Sequence, residues 1–312
     1  RVHKTPVPRL GGLAVLASFV VVALGASASD SWQGVLSVAP SHLDLWHILA
    51  VGLAMGAIGA ADDLRGLAPK VKLWLTVGVA LAAWWSGFRI EALAAPYVGE
   101  VALRAMSLPF TTLWVAGMAH AFNLIDGLDG LAAGLAVIAL AAVGLSGNAN
   151  GNSVTVLVSL ALGGSLLGFL YFNSHPARIF MGDAGSLSVG AMLAMLTVNS
   201  SHAERAGATF GLFPLLVVSY PLVDTGLAVI RRWARGVRFN QADKRHIHHQ
   251  LLGMGRSYRW TIYVLYGVAL VTASFGLLFE HGTRDVLLLA AGGTIAGGVL
   301  VVWGLARWLD YH

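Results

Sequence analysis

Long apolar runs follow one another along most of this chain, and each is close to the length that a helix needs to cross a lipid bilayer. There are about ten of them, at 11–27, 45–61, 71–86, 109–123, 128–146, 153–171, 185–199, 207–230, 259–279 and 285–305. The residues are 57% hydrophobic and only 11% charged, whereas soluble proteins contain about 25% charged residues. The sequence therefore predicts an all-α, polytopic transmembrane helical bundle, with 1–312 as a single integral membrane domain.

Three substantial polar stretches separate these runs, at 28–44, 87–108 and 231–258. Residues 88–104 alternate loosely around the turn 96–99, which predicts a small surface hairpin. The 38 glycines are expected to let helices pack closely in lipid, for example at Gly163–Gly164 and Gly292–Gly293. Because the chain starts at Arg1 inside a basic stretch, we expect an upstream helix and about eleven spans in the intact protein. The absence of cysteine excludes disulfides, thiolate catalysis and Cys-ligated metals.

The distribution of Lys and Arg over alternate loops predicts how the bundle lies in the membrane. Most of the 20 Lys and Arg residues fall on one side, while the other side holds Arg89, Arg104, Arg205 and Arg284. Cytoplasmic loops carry an excess of Lys and Arg, so the richer side is expected to face the cytoplasm. The same alternation, made without the acidic residues, places Asp62, Asp63, Asp126, Asp129, Asp183 and the histidines of 246–249 on that side.

Carboxylates are concentrated at the ends of the apolar runs on this expected cytoplasmic side. They form the Asp62–Asp63 pair, the turn from Asn123 to Gly130 and the Met181–Ser186 segment, and a His-Ile-His-His sequence at 246–249 lies within the basic 231–258 loop. Carboxylate and amide oxygens suit Mg²⁺, which takes the rest of its ligands from water and substrate phosphates. Lys and Arg neutralise the remaining phosphate charge. The combination predicts phosphoryl-transfer chemistry at a membrane face, with helices that begin near Leu131 and Ser186 directing their N-termini at phosphate oxygens.

Each of these features also has a purely structural interpretation. Adjacent carboxylates at a helix end are usually solvated or capping groups, the 123–130 turn could be an ordinary Asx turn, and Asp183 could cap its helix. Phe180 is more often a packing residue than a platform for a base, and a basic loop often only fixes topology or touches anionic lipid. Asp224 lies deep in an apolar run, which makes it a functional candidate, although it could simply pair with Arg231 or Arg232.

The three histidines raise the question of a zinc site. Neither a Cys nor a further His lies at the usual zinc spacing, so zinc is disfavoured. If the segment is helical, His246 and His249 share a face and His248 points elsewhere. Imidazoles inside a basic segment are expected to donate to phosphate oxygens instead.

The chain resembles the polyprenyl-phosphate N-acetylhexosamine-1-phosphate transferases in five motifs that occur in the family's order. They are Pro6-Val7-Pro8-Arg9-Leu10-Gly11-Gly12, Asp62-Asp63, Asn123 to Gly130, Phe180 to Leu187, and Asp243 to His249. The His-Ile-His-His form and the Pro-Val-Pro-Arg opening resemble the WecA and TagO branch, which starts teichoic-acid, O-antigen or related glycans. Two positions depart from the family pattern: His120 stands where relatives usually carry Asn, and Leu64-Arg65-Gly66 lacks the lysine that often follows the acidic pair.

The resemblance implies roles for particular side chains. The implied catalytic carboxylates are Asp62, Asp63 and Asp126, and the implied Mg²⁺ ligands are Asp183 and Asn123, with Mn²⁺ as a substitute. The implied substrate-binding residues are Lys72, Asn123, Asp129, Asn173, Phe180, Arg232, His246, His248 and His249. Of these, Asp129, Asn173 and Phe180 would contact the uridine, and Lys72, Arg232 and the histidines would bind phosphate.

The activity implied by the resemblance is transfer of an N-acetylhexosamine 1-phosphate, most often GlcNAc 1-phosphate, from its UDP conjugate to undecaprenyl phosphate, with release of UMP. The implied partners are UDP-N-acetylhexosamine, undecaprenyl phosphate and the lipid bilayer of a bacterial inner membrane; no nucleic acid is expected, and a homodimer is allowed. The phospho-N-acetylmuramoyl-pentapeptide transferase of the same superfamily stays open as an alternative. A secondary transporter, with carboxylates that relay ions, is the alternative from another class.

Overall fold

The computed structural model describes residues 7–29, 42–95, 99–199, 208–234, 246–255 and 257–281. Its helices are α1 (Gly11–Ala28), α2 (His42–Arg65), α3 (Pro69–Trp85), α4 (Ser107–Ile125), α5 (Leu131–Ala149), α6 (Ser153–Asn173), α7 (Gly182–Asn199), α8 (Leu212–Val217), α9 (Ser219–Ala234), α10 (Ile247–Gly253) and α11 (Tyr258–His281). The strands are β1 (Ile90–Ala95), β2 (Gly99–Ala102) and β3 (Ala208–Phe210). The predicted helical membrane bundle is confirmed; the apolar run at 285–305 and residues 235–245 of the basic loop lie outside the described ranges.

Within the described ranges, 6 helices are long and apolar enough to cross a membrane: α1, α2, α4, α5, α6 and α11. This number is lower than the ten spans that the sequence predicts. Helix α3 forms where a span is expected but has 17 residues, slightly fewer than the roughly 20 of a typical span. Helix α7 also forms as expected, but it carries Asp183 in its first turn and is buried almost throughout its length.

The apolar run at 207–230 does not form one helix, which corrects the sequence prediction. It is divided into β3, α8 and α9, with irregular backbone at Gly211 and Val218. Pro221 has no N–H with which to bond the carbonyl of Val217, so a single helix could not keep its hydrogen bonds through this region. Pro221 lies instead in the first turn of α9, where no intrahelical N–H bond is required.

The small hairpin predicted at 88–104 is confirmed, and it gains a third strand. β1 pairs antiparallel with β2, so that Ala95 faces Gly99, and β3 pairs parallel with the other edge of β1. The Thr111 hydroxyl accepts a hydrogen bond from the Ile90 N–H, which fixes the sheet to the start of α4. The sheet therefore lies at the opposite end of α4 from Ile125, after which the carboxylate-bearing turn begins.

Helix α7 is the centre of the bundle and packs against α2 and α4, with α1 alongside. Small residues permit close approaches at its N-terminal end: a Cβ on Gly12 would lie 2.2 Å from the Gly185 nitrogen, and a Cβ on Gly59 would lie 2.2 Å from the Asp183 carbonyl oxygen. The close contact predicted at Gly164 is not found, because nothing lies within 4 Å of a Cβ there. The start of α1, the end of α2 and the first turn of α7 are thus brought together.

Candidate active site

A cavity of about 300 Å³ opens where these helix ends meet. It is lined by Arg9, Asp63, Asn123, Asp126, Gly127, Leu128, Asp129, Asn173, Phe180, Gly182, Asp183 and Tyr258. Its size is at the lower end of the range of small-molecule sites, about 300 to 1,000 Å³. The structure therefore brings together carboxylates from the ends of α2 and α4 and the start of α7, as the loop alternation predicted.

Lys72 joins three of the predicted site residues. Its ammonium nitrogen lies 2.9 Å from Asp62 Oδ2, 2.5 Å from Asp183 Oδ2 and 3.5 Å from Asn123 Oδ1. The Asn123 amide group also donates to Asp183 Oδ1 at 2.9 Å and to the Ser186 hydroxyl at 3.0 Å. Asp62 uses its second oxygen to accept the Leu67 N–H. Two carboxylates and one amide oxygen therefore converge on a single cationic group.

Asp63 caps the N-terminus of α7. Its two carboxylate oxygens accept hydrogen bonds from the backbone N–H groups of Asp183 and Ala184, at 3.1 and 3.0 Å. A helix N-terminus has unsatisfied N–H groups and a partial positive charge, so a carboxylate there is stabilising. The sequence allows either the acidic pair or Asp183 to act as a helix cap, and the cap of α7 is Asp63. Helix α7 begins at Gly182, before the start near Ser186 that the sequence predicts.

Gly182 is required at this junction. Its φ of +70° is in the left-handed region, and a Cβ would lie 2.1 Å from the Arg9 carbonyl oxygen and 2.7 Å from Asp63 Oδ2. On the same side, the Phe180 N–H donates to the Pro8 carbonyl, and the Gly11 and Gly12 N–H groups donate to the Phe180 and Met181 carbonyls. The segment before α1 is thereby hydrogen-bonded to the segment before α7, which puts Arg9 in the cavity wall.

Asp126 lies in the turn between α4 and α5 and faces the other carboxylates. Burial, and then the nearby charges of Asp183, Asp63 and Asp129, raise the pKa of Asp126 well above its ordinary value of 3.8. The ionised form of Asp126 is therefore disfavoured by its surroundings. Helix α5 begins at Leu131, as predicted.

The remaining wall of the cavity is built around Asp129 and Asn173. Asp129 Oδ2 lies 2.8 Å from His175 Nδ1 and accepts the Ala177 N–H at 3.1 Å. Asn173 accepts the Gly130 N–H with its oxygen and donates to the Ile179 carbonyl with its amide group, both at 2.9 Å. In this arrangement Asn173 braces two loops that border the cavity, and its amide is engaged at both ends.

Two tyrosines of α11 hydrogen-bond to the backbone of the turn next to this wall, and Tyr258 also lines the cavity. The Tyr258 hydroxyl donates to the Asp129 carbonyl at 3.1 Å, and its ring stacks on that of His175, with centroids 4.0 Å apart. The Tyr266 hydroxyl donates to the Gly130 carbonyl at 2.6 Å. Sequence reasoning gave no role to His175 or to either tyrosine, since α11 is remote from the turn along the chain and no local motif marks it. For Arg9, the sequence indicates only membership of the Pro6–Gly12 motif and of the basic side.

The histidines and Arg232 are placed differently from the other predicted site residues. Arg232 lies on α9 and, like His246, His248 and His249, is not among the described residues that line the cavity. His246 and His248 are buried, with exposed fractions of 4% and 1%, whereas His249 is exposed. Burial lowers the pKa of His248 to about 4.

The predicted orientation of the histidines is wrong. Helix α10 begins only at Ile247, and His246 precedes it with extended backbone (φ −60°, ψ 149°). Helical spacing therefore does not apply to His246, and its ring stacks on that of His248 at an interplanar angle of 5°, with centroids 5.5 Å apart. Asp224, for which pairing with Arg231 or Arg232 was considered, makes contact with His246.

The donor atoms around Lys72 fit a hard divalent cation. The Asp183 carboxylate and the Asn123 oxygen, both predicted Mg²⁺ ligands, contact the same Lys72 nitrogen, so a divalent cation at that place would meet two oxygen donors. Within the described parts of the chain, no three His, Cys, Asp or Glu side chains form a metal cage by themselves. Mg²⁺ commonly has only one or two carboxylate ligands and completes its shell with water and substrate phosphates.

Comparison with known proteins identifies the family. The family model for Glycosyl transferase family 4 matches residues 45–201, which include most of α2, the carboxylate turn and α7. The chain belongs to glycosyl transferase family 4. Its membership favours the transferase interpretation over the transporter alternative. The match does not extend to the histidine segment at 246–249.

Relatives of this family 4 member match over most of their length. A probable undecaprenyl-phosphate N-acetylglucosaminyl 1-phosphate transferase of Bacillus subtilis is 34% identical over 91% of this chain and 76% of its own. A decaprenyl-phosphate N-acetylglucosaminephosphotransferase of Mycobacterium tuberculosis is 33% identical over 98% of this chain and 80% of its own. A phospho-N-acetylmuramoyl-pentapeptide-transferase of Levilactobacillus brevis is 32% identical over 88% of this chain and 84% of its own.

Proposed function

We propose that the chain transfers N-acetylglucosamine 1-phosphate from UDP-N-acetylglucosamine to undecaprenyl phosphate, giving undecaprenyl-pyrophosphoryl-N-acetylglucosamine and UMP. The product would start a cell-envelope glycan at the cytoplasmic face of the bacterial inner membrane. The observation that carries the proposal is the carboxylate cavity with Lys72 at its edge, at one end of a membrane bundle. The names of the Bacillus and Mycobacterium relatives support the sugar and the class of lipid.

The cavity offers separate surfaces for the two parts of the donor. The uridine fits the wall of Asp129, Asn173 and Phe180, where Tyr258 adds a second ring. Arg9 is the cationic side chain among the described cavity-lining residues, and a guanidinium matches phosphate oxygens with two donors. We therefore assign the donor diphosphate to the space between Arg9 and Asp183.

The lipid acceptor would approach from the bilayer. Exposed apolar side chains lie next to the site residues in sequence: Leu10 beside Arg9, Leu64 beside Asp63, and Trp74 two residues after Lys72, with exposed fractions of 41%, 69% and 70%. An isoprenoid chain can pack on such a surface while its phosphate reaches Lys72 at the membrane face. The water-soluble donor would enter from the cytoplasm.

The reaction exchanges one phosphoanhydride linkage for another. An oxygen of the lipid phosphate bonds to the β-phosphorus of UDP-N-acetylglucosamine, the bond from that phosphorus to the bridging oxygen breaks, and UMP leaves with the bridging oxygen. Mg²⁺ bound by Asp183 and Asn123 would stabilise negative charge on the diphosphate and on UMP. Lys72 and Arg9 hold charge on the acceptor and donor phosphates.

The three candidate catalytic carboxylates divide into different roles on this geometry. Asp62 holds Lys72, and Asp63 caps α7 and so positions Asp183. Asp126 is the carboxylate best suited to accept a proton from the lipid phosphate, because burial and neighbouring charges raise its pKa. A single displacement needs no covalent intermediate on these side chains.

The test uses the purified full chain in detergent with UDP-N-acetylglucosamine, undecaprenyl phosphate and Mg²⁺. Mass spectrometry should detect UMP and the lipid product in equal amounts, and only when the lipid is present. Asp183→Asn should abolish turnover while leaving the unfolding temperature nearly unchanged, and Glu91→Gln, an exposed carboxylate of β1, should change neither. UMP release without the lipid, or full activity of Asp183→Asn, would overturn the proposal.

A second candidate is the transfer of phospho-N-acetylmuramoyl-pentapeptide, which the name of the Levilactobacillus relative supports. Assays with each of the two UDP-sugar donors distinguish the two candidate reactions. UDP-N-acetylglucosamine should be accepted and UDP-N-acetylmuramoyl-pentapeptide refused. The reverse preference would establish the second candidate in place of the first.

A further inference from the structure

Asp224 is a completely buried carboxylate on α9, with an exposed fraction of 0%, that the reaction above does not use. Its Oδ2 lies 2.8 Å from His246 Nδ1, and its Oδ1 accepts the Ile247 N–H at 2.7 Å. Removing a carboxylate from water is costly unless it is paired and hydrogen-bonded. These two contacts satisfy both oxygens and fix the start of α10 to α9.

The contacts continue from His246 into the bundle. The His246 ring stacks on His248, which is only 1% exposed, and the Tyr220 hydroxyl lies 3.4 Å from His248 Nδ1. The other ring nitrogen, Nε2, is buried and has no hydrogen-bond partner within the described part of the chain. His248 is therefore held by the Tyr220 hydroxyl and by the ring of His246, which Asp224 in turn fixes.

His248 ends against the turn that carries the carboxylates. A Cβ on Gly127 would lie 3.2 Å from His248 Nε2, so the backbone of the turn and the imidazole are in close contact. Gly127 follows Asp126 directly, and Gly127, Asp126 and Asp129 all line the cavity. A displacement of α10 would therefore shift the backbone of the turn next to Asp126.

We propose that Asp224 is a positioning residue: by holding His246 and the first turn of α10, it keeps His248 against Gly127 and so fixes the carboxylate turn 126–129. The expected effect of Asp224 on catalysis rests on the proposed function. It does not place His246 or His248 on a substrate. Small displacements of a catalytic group reduce the rate strongly, by about a hundredfold for 1 Å in sensitive cases.

The test compares Asp224→Ala, which removes both contacts, with Asp224→Asn, which keeps an acceptor for the Ile247 N–H. Thr225→Val is the matched control, because Thr225 is the next residue of α9 and its buried hydroxyl has no hydrogen-bond partner within the described residues. Two quantities are measured well below the unfolding temperature: kcat and KM for UDP-N-acetylglucosamine, and hydrogen–deuterium exchange of the backbone amides.

For Asp224→Ala we expect kcat to fall about tenfold or more, with a much smaller change in KM. Exchange should accelerate in 246–253 and 126–130, while the amides of α6 keep their protection. Asp224→Asn should show smaller changes of the same kind, and Thr225→Val should resemble the wild type.

Two results would overturn the assignment. One is an Asp224→Ala variant with wild-type kcat and unchanged exchange in 126–130. The other is faster exchange throughout the bundle together with the loss of kcat, which would show a general structural role. If the wild-type chain transfers no sugar phosphate, the proposed function fails, while the pattern of exchange still tests the positioning role of Asp224.

Discussion

Replacing Lys72 by Met removes the cation from between Asp62 and Asp183 at nearly constant side-chain volume. Both carboxylates contact the same nitrogen and lie close enough to interact directly with each other; two unit charges about 4 Å apart repel by about 4 kcal/mol at an effective dielectric constant of about 20. The side chains of Asp62 and Asp183 are 16% and 24% exposed, and the water that reaches them screens part of this repulsion. We expect Lys72→Met to lower the free energy of unfolding by about 2 kcal/mol in the absence of divalent cations.

The assay is thermal unfolding of the detergent-purified chain, followed by tryptophan fluorescence, in EDTA and in excess MgCl₂. In EDTA the unfolding temperature of Lys72→Met should be lower than that of the wild type by about 5 °C. Mg²⁺ should raise it more in the variant than in the wild type, where the ion competes with an ammonium group for Asp183. Catalytic turnover should be lost in both conditions.

Lys70→Met is the matched control, because Lys70 lies on the same helix and its side chain is exposed. It should unfold like the wild type in EDTA and in MgCl₂. The reasoning is refuted if Lys72→Met is as stable as the wild type in EDTA and responds no more strongly to Mg²⁺.

Three further predictions concern other contacts of the site. Asp63→Ala removes the cap of α7 and should lower the free energy of unfolding by about 1 to 2 kcal/mol, measured by thermal unfolding; unchanged stability would contradict the capping role. Arg9→Gln should raise KM for UDP-N-acetylglucosamine about tenfold at an unchanged unfolding temperature, and an unchanged KM would remove Arg9 from the donor site. Burial, and then the charge of His249, lower the pKa of His248 to about 4 from 6.5, so its contribution to stability is complete above about pH 6.5 and is lost as the pH falls towards 4. The unfolding temperature should fall over that range, and less steeply in His248→Gln; equal slopes would contradict this.

Much of the fold could be predicted because apolar length and charge asymmetry act over whole segments. The helix boundaries at Leu131 and Ser153 follow from apolar runs, and the grouping of Asp62, Asp126 and Asp183 follows from alternating the loops between two sides. The membrane requires every span to end at one face or the other. The sequence therefore predicts which helix ends meet, even without their contacts.

The details of the site depend on tertiary contacts that leave no local pattern. The capping of α7 by Asp63 joins residues 120 positions apart, and the adjacent acidic residue Asp62 has a different partner. The Tyr258 hydroxyl donates to the Asp129 carbonyl from α11, and the sequence of that helix contains no site motif. Helical spacing does not predict the place of His246, because the helix begins only after it and that helix start is fixed by contacts with Asp224.

The most direct test of the central claim follows the β-phosphate of UDP-N-acetylglucosamine. The purified chain is given donor radiolabelled in that phosphate, undecaprenyl phosphate and Mg²⁺, and the organic and aqueous phases are then separated and counted. The label should move into the lipid with the sugar while UMP stays unlabelled, and Asp183→Asn should leave it in the aqueous donor. Label recovered in a soluble phosphate or nucleotide product, or equal transfer by Asp183→Asn, would contradict a transferase centred on this carboxylate cavity.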